Sequence, residues 1–203
     1  MTIDLNLIFG THGQSSIQIF MNRVLILGKD GMLGTMVSRY LKSLKEYEIY
    51  LTSRRDEDID DNVRKFDVSR DSLEGLVNDI NPEFLINCIG VIKPEIKEDN
   101  IESIEKAIDI NTYFPLSISQ LAESKSFKYI QIGTDCVFSG EVGGYFEDSF
   151  QDAKDIYGKT KIGGEAEHSE KYLLRGSIVG PEIGEGKSLL NWFLSQNSNK
   201  VNG

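Results

Sequence analysis

The chain has 203 residues, of which 39% are hydrophobic and 27% are charged, a composition typical of a folded globular domain and not of a disordered or fibrous chain. Its 22 Lys and Arg against 32 Asp and Glu give a formal charge of −10, so most of the surface repels polyanions and nucleic acid is not expected as a partner. No apolar run reaches the roughly 18 residues of a membrane span, and two isolated cysteines do not make a disulfide framework, so we expect a cytoplasmic protein without a membrane partner.

The first twenty residues differ from the rest of the chain. Polar side chains such as Asp4 and His12 interrupt their apolar positions, and no basic residue precedes the apolar stretch, which is unlike a signal peptide. Met21 stands directly before the β-rich run NRVLIL. We therefore expect residues 1–20 to be an extension outside the core.

From residue 23 onward, apolar β-rich runs alternate with segments of helical periodicity. Strands are predicted at residues 23–27, 48–52, 63–66, 84–89, 128–132 and 172–174, and helices at residues 32–44, 71–81, 101–123, 155–169 and 188–195. This order is typical of parallel strands joined by crossover helices. The expected fold class is α/β, with a doubly wound, mostly parallel sheet.

A glycine-rich turn follows the first predicted strand and leads into a helix. It reads GKDGMLG over residues 28–34, and its glycines permit a tight turn, a close approach to a pyrophosphate and close packing of helix on strand. A phosphate would lie at the helix N-terminus, where unpaired N–H groups favour negative charge. The glycines could instead simply form the turn, but their position favours dinucleotide binding. The candidate cofactor residues here are Gly28, Asp30, Gly31, Met32, Leu33 and Gly34.

Two arginines, Arg54 and Arg55, follow the second predicted strand, where a site for NAD more often has an acidic residue. Their guanidinium groups suit a 2′-phosphate, although either could be a solvated loop charge. We therefore expect NADP (NADPH) in preference to NAD. Asp67 and Val68, just beyond the third strand, are candidates to cap the adenine pocket, and Asp67 could equally be a turn residue.

Tyr157 and Lys161 lie four residues apart at the start of a predicted helix and so share one face. A phenol with a pKa of about 10 becomes a better acid–base group when an ammonium stabilises its anion. Thr134 and Asp135 follow the fifth predicted strand, at the edge of the sheet where ligands of doubly wound folds bind. Thr134, Tyr157 and Lys161 form the candidate catalytic group, although Thr134 could instead be a helix or loop cap.

Four ordered segments, residues 24–34, 134–140, 157–161 and 174–177, resemble the extended short-chain dehydrogenase/reductases, which combine Gly-x-x-Gly-x-x-Gly with a Ser/Thr, Tyr, Lys triad. Within them the chain looks most like the dTDP-4-dehydrorhamnose reductase branch. The resemblance covers about residues 21–182 and implies an NAD(P)-binding Rossmann domain there. Residues 183–203 then look like the start of a smaller substrate-binding lobe that is truncated here.

The resemblance also implies roles for individual residues. Tyr157 would give a proton to a sugar ketone while hydride arrives from NADPH, Thr134 would hydrogen-bond the substrate oxygen, and Lys161 would hold the nicotinamide ribose and lower the pKa of Tyr157. Asn111 matches the helix asparagine that supports the proton path. The resemblance places Cys88, Ile89 and Gly90 beside the cofactor. It places Asp135 and Arg175 beside the substrate.

Two positions depart from the rhamnose branch, because Cys136 and Ile178 replace aromatic residues that could stack on a sugar. The expected function is reduction of a nucleotide-activated 4-keto deoxy sugar in dTDP-rhamnose or polysaccharide biosynthesis, with a homodimer left open. An epimerase or dehydratase with bound NAD, and a non-catalytic NADP-binding regulatory subunit, remain alternatives.

The remaining polar residues have simpler interpretations. His12 and His168 lack carboxylate or cysteine partners at ligand spacing, so no metal site is expected. Glu165, Glu167 and Glu170 are interpreted as a solvated helix face.

Overall fold

A six-stranded, all-parallel sheet forms the centre of the protein, seen in a computed structural model that describes residues 21–56, 59–165, 170–180 and 189–196. The strand order is β3-β2-β1-β4-β5-β6. The strands are β1 (Asn22–Leu27), β2 (Tyr47–Ser53), β3 (Val63–Lys65), β4 (Phe84–Asn87), β5 (Lys128–Gly133) and β6 (Lys171–Arg175). The predicted α/β, doubly wound fold is confirmed, and the sheet is wholly parallel where we expected mostly parallel strands.

The helices connect these strands as crossovers. They are α1 (Met32–Leu44), α2 (Leu73–Ile80), α3 (Ile101–Ile108), α4 (Phe114–Lys125), α5 (Ile156–Gly163) and α6 (Leu189–Ser195). Short 3-10 turns occupy Lys93–Glu95 and Asp135–Val137. None of the described helices is long and apolar enough to cross a membrane.

The core lies on both faces of the sheet, because alternate side chains of each strand point to opposite sides. Leu25 and Leu27 of β1 pack on one face with the apolar residues of α2 and α4. Val24 and Ile26 pack on the other face, against α1. Burial on both faces explains why β1 reads as a continuous apolar run.

The predicted helix 101–123 is interrupted by a π-helical segment, Asp109–Tyr113, between α3 and α4. Pro115 in the first turn of α4 has no N–H to donate to the carbonyl of Asn111, four residues earlier. The N–H of Phe114 bonds instead to the carbonyl of Asp109, five residues earlier. This widened π-helical turn directs the Asn111 side chain into the interior, where the residue is only 1% exposed.

Other boundaries differ by a few residues from the sequence-based expectation. β4 ends at Asn87 and not at residue 89, and α2 begins at Leu73 behind the cap Ser72, whose hydroxyl accepts from the Gly75 N–H. Helix α5 ends at Gly163, and residues 166–169 of the predicted helix lie outside the described residues. The expected extension 1–20 and the expected domain boundary at residues 182 and 183 also lie outside them.

Candidate cofactor and active site

The glycine-rich turn follows the carboxyl end of β1. The strand order reverses direction at β1, which has β2 on one side and β4 on the other, and this place is the switch point of the sheet. Gly28 has φ of +84°, and a Cβ there would approach Ile89 Cγ1 to 2.9 Å. A Cβ on Gly34 would lie 2.0 Å from the Gly28 carbonyl oxygen, so only glycine lets α1 pack this closely on the turn. The Gly28 N–H donates to the Thr52 hydroxyl at 2.9 Å, which ties the turn to β2.

The N-terminus of α1 is suited to an anion. Gly31 is its N-cap without a side-chain cap, and its first turn holds no acidic residue. Helix α1 begins with Met32 and Leu33, both partly exposed, and a Cβ on Gly31 would meet no atom closer than 3.7 Å. The first N–H groups of a 13-residue helix are therefore open to a phosphate, and this arrangement fits the pyrophosphate of a dinucleotide.

The residues expected to bind the adenosine end of the dinucleotide lie just beyond the carboxyl ends of β2 and β3. Arg54 and Arg55 are exposed directly after β2. Asp67 accepts hydrogen bonds from the Ser69 hydroxyl at 2.7 Å and the Ser69 N–H at 2.9 Å, and these bonds hold its pKa below the usual value. Val68 packs against the core cluster. The structure thus gives Asp67 the turn contacts that were the alternative interpretation of this residue.

The segment after β4 runs beside Lys161. A Cβ on Gly90 would lie 2.8 Å from the Lys161 ammonium nitrogen, so the backbone approaches the lysine more closely than any other residue type would allow. Ile89 N–H donates to the Asn87 side chain at 3.0 Å. Burial raises the pKa of the Cys88 thiol to about 12, which makes this cysteine a neutral packing residue.

Thr134, Tyr157 and Lys161 lie close together in the structure. Thr134 is in the loop after β5, and Tyr157 and Lys161 are on α5. The Thr134 hydroxyl lies close enough to the Tyr157 phenol to act on its pKa, and Lys161 Nζ lies 6.0 Å from the centre of the Tyr157 ring. Thr134 is also held by the Cys136 N–H, which donates to its hydroxyl at 3.2 Å. The expected group of hydroxyl, phenol and ammonium is therefore assembled.

The electrostatics of this group differ from the expectation in one respect. Burial raises the pKa of Tyr157, and the hydrogen bond from Thr134 opposes that rise only in part. The negative charges of Asp135 and Asp155 raise the pKa of Tyr157 further, and the expected lowering of this pKa by Lys161 is not seen. Burial also lowers the pKa of Lys161 to about 8, and the charge of Glu165 acts in the opposite direction.

Asn111 connects the loop after β4 to α5. Its side-chain oxygen accepts from the Val91 N–H at 2.9 Å, and its amide donates to the Val91 carbonyl at 3.0 Å and to the Thr160 hydroxyl at 3.2 Å. Its own carbonyl oxygen would lie 2.2 Å from a Cβ on Gly164. Asn111 therefore fixes the position of α5, and with it Lys161, against the switch point.

The two residues expected at the substrate have different surroundings. Asp135 is exposed, and its two carboxylate oxygens accept from the Ser177 hydroxyl at 2.9 and 2.8 Å. Arg175 donates to Glu165 through Nε at 3.1 Å and to the Glu147 carbonyl at 2.6 Å, and its guanidinium lies 5.6 Å from the Phe138 ring centre. The structure thus gives Arg175 partners within the protein.

Glu165 is not part of a solvated helix face, and that expectation is wrong. Its side chain is 5% exposed, it pairs with Arg175 Nη2 at 3.0 Å and it accepts from the Gln151 amide. Its other carboxylate oxygen, Oε1, is buried without a hydrogen-bond partner among the described residues. Glu170 pairs with Lys128, and Glu167 lies outside the described residues.

Lys29 and Ser53 are two functional candidates that the sequence reasoning missed. The Lys29 ammonium lies 2.8 Å from Asp30, and the Ser53 hydroxyl donates to the same carboxylate at 2.7 Å. A basic residue inside the glycine-rich turn was the available signal. Among the described residues, no group of three or more His, Cys, Asp and Glu side chains is arranged to hold a metal ion; His12 and His168 lie outside them.

Comparison with known families fits this geometry. The family model of the RmlD substrate binding domain matches residues 21–200. The chain belongs to this family. Among its relatives is methionine adenosyltransferase 2 subunit beta of Rattus norvegicus, 25% identical over 152 residues, which cover 75% of this chain and 44% of that protein. A Haloferax volcanii protein named "probable low-salt glycan biosynthesis reductase" is 24% identical over 173 residues, which cover 82% and 57% of the two chains.

Solved structures of the same family share the fold. The dTDP-4-dehydrorhamnose reductase of Clostridium acetobutylicum superposes with a TM-score of 0.69 at 26% identity, covering 85% of this chain and 58% of that one. The Bacillus anthracis enzyme in complex with NADP has a TM-score of 0.69 at 24% identity, covering 87% and 59%. The chain thus spans about half the length of the RmlD family members that it matches.

Proposed function

We propose that the chain is an NADPH-dependent reductase of a nucleotide-activated 4-keto deoxy sugar, similar to the dTDP-4-dehydrorhamnose reductases. The observation that supports this most is the meeting of Thr134, Tyr157 and Lys161 at the carboxyl edge of the sheet. The same edge carries the open N-terminus of α1, so a dinucleotide bound there would extend toward the phenol. Family membership and the superposed reductase of C. acetobutylicum support the same reaction class.

In the proposed reaction, Tyr157 is the proton donor. Its raised pKa keeps the phenol protonated at neutral pH, so the proton is available as negative charge develops on the ketone oxygen. Bound NADPH supplies the hydride to the carbonyl carbon, and the hydride and the proton together convert the ketone to a secondary alcohol. Thr134 donates a hydrogen bond to the same oxygen, and Cys136 N–H holds the Thr134 hydroxyl in place.

Lys161 has a positioning role in this proposal. Below its pKa of about 8 the ammonium is charged, and among the described residues it has no hydrogen-bond or ion-pair partner. A buried, charged donor beside the Tyr157 ring is suited to bind the hydroxyls of the nicotinamide ribose. Gly90 and Asn111 keep the neighbouring backbone close to the ammonium, which defines where the ribose can lie.

The preference for NADPH rests on the charges beyond β2. Arg54 and Arg55 present two exposed guanidinium groups at the end of the strand, and a guanidinium pairs well with a phosphate dianion. The chain has no acidic residue at the end of β2 itself, where Ser53 is the last residue. This arrangement favours the 2′-phosphorylated cofactor.

Steady-state oxidation of NADPH, followed at 340 nm against a panel of nucleotide-activated keto sugars, tests the proposal. We expect turnover with at least one 4-keto-6-deoxy sugar nucleotide and none with the free sugar, since the nucleotide supplies binding energy remote from the ketone. Binding of NADPH without turnover of any member of the panel would contradict it.

A second candidate is a non-catalytic, cofactor-binding subunit. The 25% identity to methionine adenosyltransferase 2 subunit beta favours it, because that protein is described as a subunit of another enzyme. Under this alternative NADPH binds but is not oxidised, and substitution of Tyr157 by Phe changes nothing measurable. The panel assay separates the two functions.

A further inference from the structure

Asp30 brings a carboxylate from the glycine-rich turn to the end of β2. One of its oxygens lies 2.8 Å from the Lys29 ammonium, and the other accepts from the Ser53 hydroxyl at 2.7 Å. The Ser53 hydroxyl also accepts from the Arg55 N–H at 3.0 Å. The Asp30 side chain is 27% exposed, so the cluster of Lys29, Asp30, Ser53 and Arg55 opens to the crevice and is not sealed in the core.

The end of the second strand has a known role in the cofactor sites of doubly wound folds. An acidic side chain near the end of the second strand typically accepts hydrogen bonds from the adenosine ribose of NAD. Here β2 ends in Ser53, and the carboxylate comes from Asp30, which lies 23 residues earlier in the chain. Asp30 reaches Ser53 because it follows β1, the strand paired with β2. The chain therefore places a carboxylate and cationic groups at the same subsite.

The Asp30 carboxylate is charged at neutral pH. Burial raises its pKa, but the hydrogen bonds from Lys29 and Ser53, with the charges of Lys29 and Arg55, bring it below the usual value. A 2′-phosphate entering this subsite would seek the same donors, the Lys29 ammonium and the Ser53 hydroxyl. It would also approach a fixed negative charge, whose repulsion is stronger in a partly buried crevice than in bulk water.

We propose that Asp30 sets the balance between the two cofactors by competing with the 2′-phosphate of NADP for Lys29 and Ser53. This inference rests on the proposed dinucleotide binding and adds a residue that limits its preference for NADPH. For NAD, the same carboxylate accepts from the ribose hydroxyls without repulsion. The wild-type chain therefore prefers NADPH less strongly than its arginines alone would make it, and loss of the Asp30 charge increases that preference.

The experiment compares Asp30→Asn with the wild type by calorimetric titration of 2′,5′-ADP, 5′-AMP, NADPH and NADH. We expect the variant to bind 2′,5′-ADP and NADPH about tenfold more tightly, a change typical of one charge-assisted contact, while 5′-AMP and NADH bind equally or slightly more weakly. Asp56→Asn is the matched control, because it removes the same charge from an exposed residue paired with Lys65 at 2.5 Å. The control is expected to leave the ratio of affinities unchanged.

Three outcomes overturn the inference, and the last of them is distinguishable from the first two. If wild type and Asp30→Asn bind NADPH and NADH with the same ratio, or if Asp56→Asn shifts the ratio equally, Asp30 does not set the preference, and the proposed function stands. If the folded wild-type chain binds none of the four nucleotides, the proposed function fails and this inference fails with it. Lys29→Met, which removes a donor and not the competitor, is expected to weaken 2′,5′-ADP selectively.

Discussion

Gly90 and Lys161 approach each other so closely that a Cβ on Gly90 would lie 2.8 Å from the lysine ammonium nitrogen. The glycine belongs to the loop after β4, and the lysine belongs to α5, so the contact joins this loop to the helix that carries Tyr157. The same Cβ would lie 3.4 Å from the side-chain oxygen of Asn111. The position of the Lys161 ammonium therefore depends on the absence of a side chain at residue 90.

Gly90→Ala tests this dependence. The ammonium is the end of a flexible side chain and can move, so we expect the melting temperature to change by no more than a few degrees. The displaced Lys161 should lose its geometry toward the cofactor, with a fall in kcat/KM of about tenfold to a hundredfold. Gly176→Ala is the control, because a Cβ there meets no atom within 4 Å. Equal activities of the two variants would contradict the positioning role of Gly90.

The arginines after β2 give a prediction about cofactor choice. Replacing Arg54 and Arg55 together with Ala should weaken NADPH binding by one to two orders of magnitude, about 1.5 to 3 kcal/mol, since charge-assisted contacts to the phosphate are lost. NADH binding should stay nearly the same. Fluorescence titration of both cofactors measures the ratio, and Arg64→Ala, which removes a cation from β3, serves as the control. Equal losses for the two cofactors would show that the arginines do not bind the 2′-phosphate.

Lys161 gives a prediction about pH and stability. Its pKa in the folded protein is about 8, below the value near 10.4 of an unfolded lysine, so between these values the unfolded chain binds more protons. The free energy of unfolding of the wild type should therefore rise relative to that of Lys161→Met as the pH increases from 8 toward 10, by on the order of 1 to 2 kcal/mol. Lys171, with a pKa also lowered to about 8, is present in both proteins and cancels. Urea denaturation at pH 7 and pH 10 measures the difference; a constant difference between the two pH values would contradict the lowered pKa.

The Glu165–Arg175 pair gives a prediction that separates a structural arginine from a substrate-binding one. Arg175→Met leaves the buried Glu165 carboxylate without its cation, so we expect a loss of about 2 to 4 kcal/mol of stability. Arg23→Met removes one partner of a more exposed pair, with side chains 32% and 45% exposed, and should cost less than about 1 kcal/mol. Denaturant titration compares the two variants. An unchanged stability in Arg175→Met, together with a raised KM for the sugar nucleotide, would instead support the substrate role.

Much of the fold could be predicted from the sequence because its signals are local. The continuous apolar run of β1, the glycines at 28, 31 and 34 and the four-residue spacing of Tyr157 and Lys161 each depend on neighbouring residues alone. The all-parallel order follows once strands alternate with helices. These signals place the glycine-rich turn and the helix that carries Tyr157 at the same edge of the sheet.

The features that could not be predicted depend on partners distant in the chain. Glu165 looks solvated in sequence, and it is buried because Arg175 on β6 and Gln151 in the preceding loop meet it. The π segment reflects both the missing N–H of Pro115 and the contacts of Asn111 with Val91 and Thr160. The raised pKa of Tyr157 follows from burial, which no spacing of residues reports.

Turnover by Tyr157→Phe tests the proposed reaction most directly. The substitution removes only the phenol oxygen, so fold and NADPH affinity should persist while the ketone loses its proton donor. With NADPH and the best nucleotide-activated keto sugar of the panel, we expect kcat to fall by a factor of about 10² to 10⁴, whereas Tyr172→Phe, at an exposed position on β6, keeps full activity. Reduction of the keto sugar at the wild-type rate with Phe at residue 157 would contradict the assignment of Tyr157 as the acid.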